Sequence, residues 1–257
     1  MTKLIGGNIS DTPIKNIGDG SAFSVGCGGA GIPGDPEWAN VKLLIQPHAG
    51  DVGVAGLHDR GPDGRTATIG TGSVTITDDS NRSPIWGAYA NPSNASVTYS
   101  DDAGLQFGTG DFCMEFIGNR SAAGGFSGHY AYTANSPGTR NFQGYFYDGA
   151  SWYWYRAGGS QFGSFEPGDG YDTANGPMVE NITINRASGT TYMFWNGTLY
   201  SSGADSNNYD TNWSAFKLFT DGGGFFGGNM IAMRFSHVSR FTAAHNPHLW
   251  GFPEGGV

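Results

Sequence analysis

The stretch NITINRASGTTYMFWNGTLY (181–200) decides the fold class. Its two longer segments, NITINR and TTYMFW, are rich in β-branched and aromatic residues, and the turn residues ASG separate them. Asn196 and Gly197 then lie between TTYMFW and TLY, and Asn-Gly supplies the positive φ angles that a type I′ hairpin turn requires. The stretch therefore predicts short strands joined by tight turns.

The composition extends this prediction to the whole chain of 257 residues. It contains 44 Gly and 12 Pro, while charged residues make up 14%, against roughly 25% in a typical soluble domain. Long-helix and coiled-coil proteins are rich in Glu and Lys, and this chain has only 5 Glu and 4 Lys. Hydrophobic residues reach 38%, which is enough to form a core and argues against a wholly disordered chain.

The charge distribution excludes two classes of partner. The formal net charge is −9, and the Arg and Lys residues are scattered singly, whereas nucleic-acid binders cluster them. No apolar run approaches the roughly 20 residues of a membrane span, so we expect no membrane insertion.

The segment MTKLIGGNIS (1–10) lacks the apolar stretch of a signal peptide, which predicts a protein that leaves its host cell only as part of an assembly.

Further strand patterns follow one another from residue 38 onward. They are VKLLIQ (41–46), TATIG (66–70), GSVTIT (72–77), ASVTYS (95–100), DFCMEFIG (111–118), HYAYT (129–133), FQGYFY (142–147), SWYWYRA (151–157), AFKLFT (215–220) and MIAMRFSHV (230–238). The segment 159–177 is predicted to be a long loop. So many short strands favour a two-sheet antiparallel sandwich.

The strand DFCMEFIG is predicted to be central. Alternate residues of a strand share a face, which places Phe112, Met114 and Phe116 on one side. Cys113, Glu115 and Ile117 then lie on the other side, so both faces are largely apolar.

Residues 1–36 differ from the rest, because they carry few apolar residues and no sustained periodicity. We interpret them as an extended N-terminal arm that docks to a partner. The sandwich, with a C-terminal strap, is assigned to residues 37–257.

Five segments, in order, resemble the laminin-G-like branch of the concanavalin A-like sandwich superfamily, as found in bacteriophage virion proteins. They are DPEWANVKLLIQ (35–46), HDRGPDGRTATIGTGSVTI (58–76), AGLQFGTGDFCMEFIG (103–118), NITINRASGTTYMFWNGTLYSSGADSNNY (181–209) and GGNMIAMRFSHVSRFTAAHNPHLWGFP (227–253). The resemblance implies an all-β, two-sheet antiparallel jelly-roll sandwich. The arm lies outside it.

The resemblance also bears on calcium. Members that hold a structural calcium often carry an acidic pair in the closing strand, where this chain has Ile231 and Ala232. An inherited calcium site is therefore doubtful, and no other cofactor is expected. If a cation binds, Asp59 and Asp63 are its expected ligands, although Asp residues also cap turns.

Catalytic patterns are weak in this sequence. Glycoside hydrolases need two carboxylates flanking the scissile bond, yet Glu115 has no acidic neighbour on its strand and is expected to lie at the rim of the sheet or to face solvent. Pro247 argues against a helix that would align His245 and His248 as metal ligands. Cys113 is expected to be a buried free thiol, with a disulfide to Cys27 as the less favoured alternative.

The aromatic strands carry the main functional prediction. Tryptophan and tyrosine rings on an exposed strand face can stack on the apolar faces of sugars. The predicted glycan-binding residues are Trp152, Trp154, Tyr130, Tyr132 and Tyr145. The alternative is that both faces of these strands are buried.

The resemblance implies a non-enzymatic virion surface protein of a bacteriophage, either a capsid decoration or a tail or fibre component. It would be assembled in the host cytoplasm and located on the virion surface. Residues 1–36 would bind other virion proteins, the chain would form a homo-oligomer, and the sandwich would contact host-surface polysaccharide. Two alternatives stay open: a purely structural decoration or cement protein without a ligand, and a glycoside hydrolase.

Overall fold

The structure is a computed structural model. It describes residues 34–54, 56–78, 87–100, 104–120, 127–134, 140–147, 151–155, 161–165, 171–172, 176–177, 179–209, 213–219 and 228–255. The predicted arm, apart from its last residues, and Cys27 lie outside these ranges. Among the described residues, no helix is long and apolar enough to cross a membrane.

The described chain is built from strands and two short 3-10 turns, Trp38–Asn40 and Ala49–Asp51. The strands are β1 (Val41–Ile45), β2 (Ala67–Asp78), β3 (Ala88–Ser100), β4 (Phe112–Arg120), β5 (Ser127–Ala134), β6 (Arg140–Tyr147), β7 (Ser151–Tyr155), β8 (Gln161–Phe165), β9 (Tyr171–Asp172), β10 (Gly176–Pro177), β11 (Glu180–Ala187), β12 (Thr190–Trp195), β13 (Thr198–Ala204), β14 (Trp213–Leu218) and β15 (Gly228–Ser236).

The strands pair antiparallel in one large sheet. Its order is β13-β12-β11-β4-β15-β3-β14-β5-β6-β7-β8, with β1 beside β15 and β2 beside β3, while β9 and β10 form a separate ribbon. The strands at the two ends of this order approach each other at glycines. A Cβ on Gly163 of β8 would lie 2.8 Å from Met193 Sδ of β12, and a Cβ on Gly203 of β13 would lie 3.3 Å from the Phe162 ring of β8. The sheet therefore folds over on itself, with two layers facing each other.

The inner faces of these layers enclose the main core. Its largest members are Tyr99, Phe107, Phe112, Phe116, Trp154, Tyr209, Phe216, Phe219 and Phe235. Phe112, Met114 and Phe116 all belong to it, and β4 pairs with β11 on one side and β15 on the other. The predicted central strand and its inward face are confirmed.

A second apolar cluster, here called the outer layer, covers the opposite face of β1, β4 and β15. It consists of Val41, Leu44, Tyr89, Ile117, Ile231, Ala232 and Phe252. The strap (residues 237–255) forms part of this cover. It is tied down by Gln46, whose Oε1 accepts from Phe252 N at 2.6 Å and whose Nε2 donates to Phe252 O at 3.1 Å. Consequently both faces of β4 are buried.

The hairpin predictions are confirmed. Asn196 and Gly197 have φ values of 46° and 74° and connect β12 to β13, while Ser188 and Gly189 have 49° and 74° between β11 and β12. Gly197 is needed for a second reason, because a Cβ there would lie 1.9 Å from His245 O in the strap.

Two segment predictions differ from the structure. TATIG and GSVTIT form one strand, β2, whose pairing with β3 shifts register around Gly70 and Gly72; glycines permit such bulges without ending the strand. The predicted loop 159–177 contains β8, which pairs with β7, and the β9–β10 ribbon.

Candidate functional site

One of the five predicted glycan-binding residues is buried in the structure. Trp154 is 0% exposed and packs in the main core, so it presents no ring to a ligand, and the prediction for this residue is wrong. The backbones of Tyr130, Tyr132, Tyr145 and Trp152 lie in β5, β6 and β7. Their side chains lie outside the described part of the structure.

A different aromatic surface is exposed on the β12–β13 hairpin. Among the described residues, Leu199 and Tyr200 are 39% and 43% exposed. The half-buried Trp195 ring lies 6.1 Å from the Tyr200 ring at an interplanar angle of 80°. We call Trp195, Leu199 and Tyr200 the hairpin patch.

A β-bulge places Tyr200 in this patch. Met193 pairs with Ser201, and Phe194 pairs with Leu199, so Tyr200 is an extra residue of β13 between two paired positions. Bulges bend a strand and redirect a side chain. The tight Asn196–Gly197 turn fixes the hairpin end, and the strap holds that turn through a hydrogen bond from His245 N to Gly197 O of 3.0 Å.

A buried carboxylate orients the Trp195 ring. Trp195 Nε1 donates to Glu180 Oε2 at 3.3 Å, and Glu180, the first residue of β11, is only 3% exposed. Trp195 is partly buried and also packs against the main core. The patch is therefore a preorganised pair of near-perpendicular rings, which suits the apolar face of a sugar ring.

The sequence pattern around this patch predicted a hairpin but not a binding surface. The strand TLY after the Asn-Gly turn carries two large apolar side chains in an otherwise small and polar segment, TLYSSGA. That pattern is the signal that could have located the patch. Its exposure could not be read from the sequence, because it depends on the bulge at Tyr200.

The structure corrects the prediction for Glu115, which is 1% exposed. Arg234 donates to Glu115 Oε2 from Nε at 2.8 Å and from Nη2 at 2.5 Å, and to Asp35 Oδ2 from Nη1 at 2.8 Å. Arg240 donates to both oxygens of Asp35, at 3.1 and 2.9 Å. Two arginines thus neutralise two carboxylates beneath the strap, because the outer layer covers this face of β4.

This charge cluster is structural. Burial raises the pKa of Asp35, but the hydrogen bond from Arg240 and the charges of Arg234 and Arg240 outweigh burial and lower that pKa below its ordinary value. A glycosidase acid must instead reach a substrate and hold a proton. Neither carboxylate can reach a substrate, since Asp35 and Glu115 are each 1% exposed, and the lowered pKa of Asp35 also opposes its holding a proton.

Asp59 and Asp63, the expected ligands of a possible cation, stabilise the turn between β1 and β2. Asp59 Oδ1 accepts from Leu44 N at 2.9 Å and Gly61 N at 2.8 Å, and its Oδ2 accepts from Arg65 N at 2.8 Å. Asp63 Oδ2 pairs with Arg65 Nη1 at 2.8 Å. Since these donors and the guanidinium already occupy the carboxylates, the pair is poorly suited to bind calcium. In the described ranges, no group of three or more His, Cys, Asp or Glu side chains could hold a metal.

The remaining candidate residues pack into the fold. The His245 ring stacks on Phe241 at 3.6 Å, and burial lowers the pKa of His245 and His248. Cys113 is buried and free, with its thiol pKa raised by burial. Ile231 and Ala232, at the position of the expected acidic pair, are both 0% exposed in the outer layer.

The segment SSGADSNNY (201–209) ends in a buried polar network. Asp205 Oδ2 accepts from Thr191 Oγ1 at 2.7 Å and Tyr209 OH at 2.6 Å, and Oδ1 accepts from the Asn207 amide at 2.6 Å. Burial raises the pKa of Asp205, but these hydrogen bonds outweigh it and lower that pKa from its ordinary 3.8. This network holds the chain that follows β13, and thereby supports the hairpin.

We expect Asp205→Asn to lower the free energy of unfolding by about 2 kcal/mol near neutral pH, because charge-assisted hydrogen bonds are lost. Since the folded-state pKa is lowered, this contribution is present above 3.8 and is lost as the pH falls through the folded-state value. Urea unfolding across acid pH should therefore show the difference between wild type and variant shrinking. A constant difference would contradict the assignment.

Comparison with known proteins supports the fold. No family model matches the sequence, and no curated protein matches it. Solved structures similar to this chain include the binding domain of botulinum neurotoxin DC in complex with SialylT (TM-score 0.58, 10% identity, 79% of this chain and 49% of that chain). A structure of botulinum neurotoxin type C, whose cell entry depends on interaction with two ganglioside molecules, has a TM-score of 0.58 at 9% identity and the same coverage.

The binding domain of Paraclostridial Mosquitocidal Protein 1 is also similar, with a TM-score of 0.52, 16% identity, and coverage of 81% of this chain and 50% of that chain. At such identities the likeness concerns the fold alone. It shows that the described chain is an all-β sandwich of the kind found in these binding domains, and that it spans about half their length.

Proposed function

We propose that this chain is a non-enzymatic, lectin-like binding domain that contacts host-surface glycans through the hairpin patch. The observation that carries the proposal is the pair of near-perpendicular rings, Trp195 and exposed Tyr200, held 6.1 Å apart on a rigid hairpin. Sugars offer apolar C–H faces to such rings and hydroxyls to nearby polar groups. The fold shared with toxin binding domains supports a binding role.

The biological setting belongs to the same proposal. The ordered resemblance of about residues 38–253 to laminin-G-like domains of phage virions supports a capsid decoration or a tail or fibre component on the virion surface, assembled in the host cytoplasm. In this proposal residues 1–36 dock to other virion proteins, and the chain forms a homo-oligomer. Asp35 at the end of the arm is already fixed to the sandwich by Arg234 and Arg240.

The other two functions have less support. A cleft between Ile45, Leu57, His58 and Ile76 encloses only about 180 Å³, part of which is open solvent, whereas small-molecule sites usually measure roughly 300–1,000 Å³. Together with the neutralised Glu115, this disfavours a hydrolase. If the chain binds no glycan in the experiment below, a structural decoration protein without a ligand becomes the favoured function.

A glycan array with the purified full chain tests the proposal. We expect binding, and we expect Tyr200→Ala to weaken it at least about tenfold, which corresponds to about 1.4 kcal/mol of lost stacking. Val52→Ala is the matched control, since Val52 is 45% exposed but lies in the loop after β1. Absence of any binding would favour the purely structural protein, and full binding by Tyr200→Ala would exclude the hairpin patch.

A further inference from the structure

The strap contacts the hairpin that carries the patch. His245 N donates to Gly197 O at 3.0 Å, and a Cβ on Gly197 would lie 1.9 Å from His245 O, so the two backbones are in close contact. The His245 ring also lies 4.9 Å from the Phe194 ring of β12, at an interplanar angle of 74°. Phe194 pairs with Leu199 of the patch. The strap therefore supports the hairpin at the end where the patch lies.

The same strap is clamped to the end of the arm. Arg240 donates to both oxygens of Asp35, at 3.1 and 2.9 Å, and Asp35 N donates to Gly255 O at 2.8 Å. The side chains of Arg240 and Asp35 are 9% and 1% exposed. Removing one partner of such a buried pair is costly, because the other charge loses its compensation. Asp35 thus fixes the strap near both of its ends.

Packed groups connect the clamp to the hairpin. Asn185 Oδ1 of β11 accepts from Arg240 N at 2.7 Å and from Phe241 N at 3.3 Å. The Phe241 ring stacks on the His245 ring, with centroids 3.6 Å apart and an interplanar angle of 8°. The contacts from the arm to the hairpin turn are therefore continuous, and contiguous packed and hydrogen-bonded groups can carry energetic coupling between two sites.

We infer that the strap positions the hairpin patch and couples it to the end of the arm, so that releasing Asp35 from Arg240 weakens glycan binding. This inference rests on the proposed glycan binding and adds its regulation. While Asp35 is clamped, the strap holds the turn, and the rings of the patch keep one arrangement. Once Asp35 is released, the hairpin loses this support, and a ligand must order the rings as it binds, which lowers affinity.

The coupling acts in both directions, because the binding free energies of two coupled sites affect each other equally. A glycan on the patch therefore strengthens the clamp on Asp35. In the proposed function, contact with the host surface would in this way reach residues 1–36, the segment that docks to other virion proteins. Arg240 and His245 are positioning residues of the patch.

Arg240→Ala tests the coupling, because it removes the clamp while Asp35 keeps its bond to Arg234. In the free full chain, hydrogen exchange measured by mass spectrometry should become at least about fivefold faster in residues 190–204, while residues 88–100 of β3 stay unchanged. On the glycan array, half-maximal binding should require at least about fivefold more protein, the lower end of typical coupling between sites.

Two further variants separate positioning from loss of the fold. Arg240→Lys keeps a positive charge beside Asp35, so it should restore most of the protection and of the binding. His245→Ala leaves the clamp intact but removes the ring between Phe241 and Phe194. It should weaken binding as Arg240→Ala does, and it carries the same test if Arg240→Ala does not fold.

Arg60→Ala is the matched control, because it removes the same charge from another partly buried ion pair. Arg60 donates to Asp51 Oδ2 at 2.6 Å and to Gln46 O at 2.9 Å, in the turn after β1. It should leave both the exchange of residues 190–204 and the array binding as in wild type.

The possible failures are distinguishable. If folded Arg240→Ala or His245→Ala leaves array binding unchanged, the coupling is overturned while glycan binding stands. Equal acceleration of exchange in residues 190–204 and 88–100 would also overturn it, since the effect would then be a general loss of stability. If the wild-type chain binds no glycan, the proposed function and its regulation fall together.

Discussion

Arg234→Ala should lower the free energy of unfolding by about 3–5 kcal/mol, the typical cost of leaving buried charges without their partner. Arg234 is 2% exposed, and the two carboxylates it binds, Asp35 and Glu115, are each 1% exposed. Its guanidinium also lies 4.3 Å from the Phe252 ring centroid, so the strap should loosen as well. Chemical denaturation measures the loss, and hydrogen exchange locates it in residues 237–255.

Lys42→Ala is the control for this experiment. Lys42 lies on β1, next to β15, and its Nζ contacts only one described acceptor, Ala39 O at 3.4 Å. We expect a change within about 0.5 kcal/mol, as for most substitutions of surface side chains. A loss below about 1 kcal/mol for Arg234→Ala would mean that water, rather than the cluster, solvates these carboxylates.

Trp154→Ala should destabilise the protein by about 3–5 kcal/mol, the usual cost of removing a large aromatic side chain from a packed core. Trp154 is 0% exposed and packs in the main core. For a chain of this size, the melting temperature should fall by at least about 6 °C. Thermal unfolding by circular dichroism measures this fall.

Comparison with Tyr200→Ala separates a core role from a binding role. Tyr200 is 43% exposed, so its removal should cost about 0.5 kcal/mol of stability or less while weakening glycan binding. Trp154→Phe, which preserves most of the buried ring, should keep both the fold and the binding. If Trp154→Ala leaves stability unchanged and abolishes glycan binding, Trp154 is instead an exposed glycan-binding residue, and its placement in the core is contradicted.

The proposed binding surface, the hairpin patch, differs from a cavity in what the structure must provide. The hairpin patch needs a fixed pair of rings, and the bulge at Tyr200, the Asn196–Gly197 turn and the Glu180 carboxylate together provide it. The buried arginines and carboxylates stabilise the opposite, outer face.

Local sequence rules were sufficient for the strands and turns. Asn196-Gly197 and Ser188-Gly189 adopt the positive φ values expected of type I′ turns, because that requirement acts within two residues. The alternation in Phe112–Ile117 identified the core face of β4, since side chains of a strand alternate between its faces. The Asp59 turn and the buried His245 also follow short-range chemistry.

The site could not be derived in the same way. The sequence predicted that Glu115 lies at the rim of the sheet or faces solvent. Its partner Arg234 is 119 residues away, and Asp35 joins the same arginine from 199 residues away, so local sequence could not reveal this pairing. The sequence likewise shows tryptophans in SWYWY but not which of them the second layer covers. Burial depends on what lies opposite a side chain, and that is a long-range property.

The sequence by itself determined an all-β chain, its tight turns and the inward face of its central strand. Only the tertiary structure decided that Trp154 is buried, that the strap covers Glu115, and that Tyr200 is exposed beside the Trp195 ring. The physical reason is that backbone conformation responds to neighbouring residues, whereas exposure and ion pairing arise when strands distant in sequence come together.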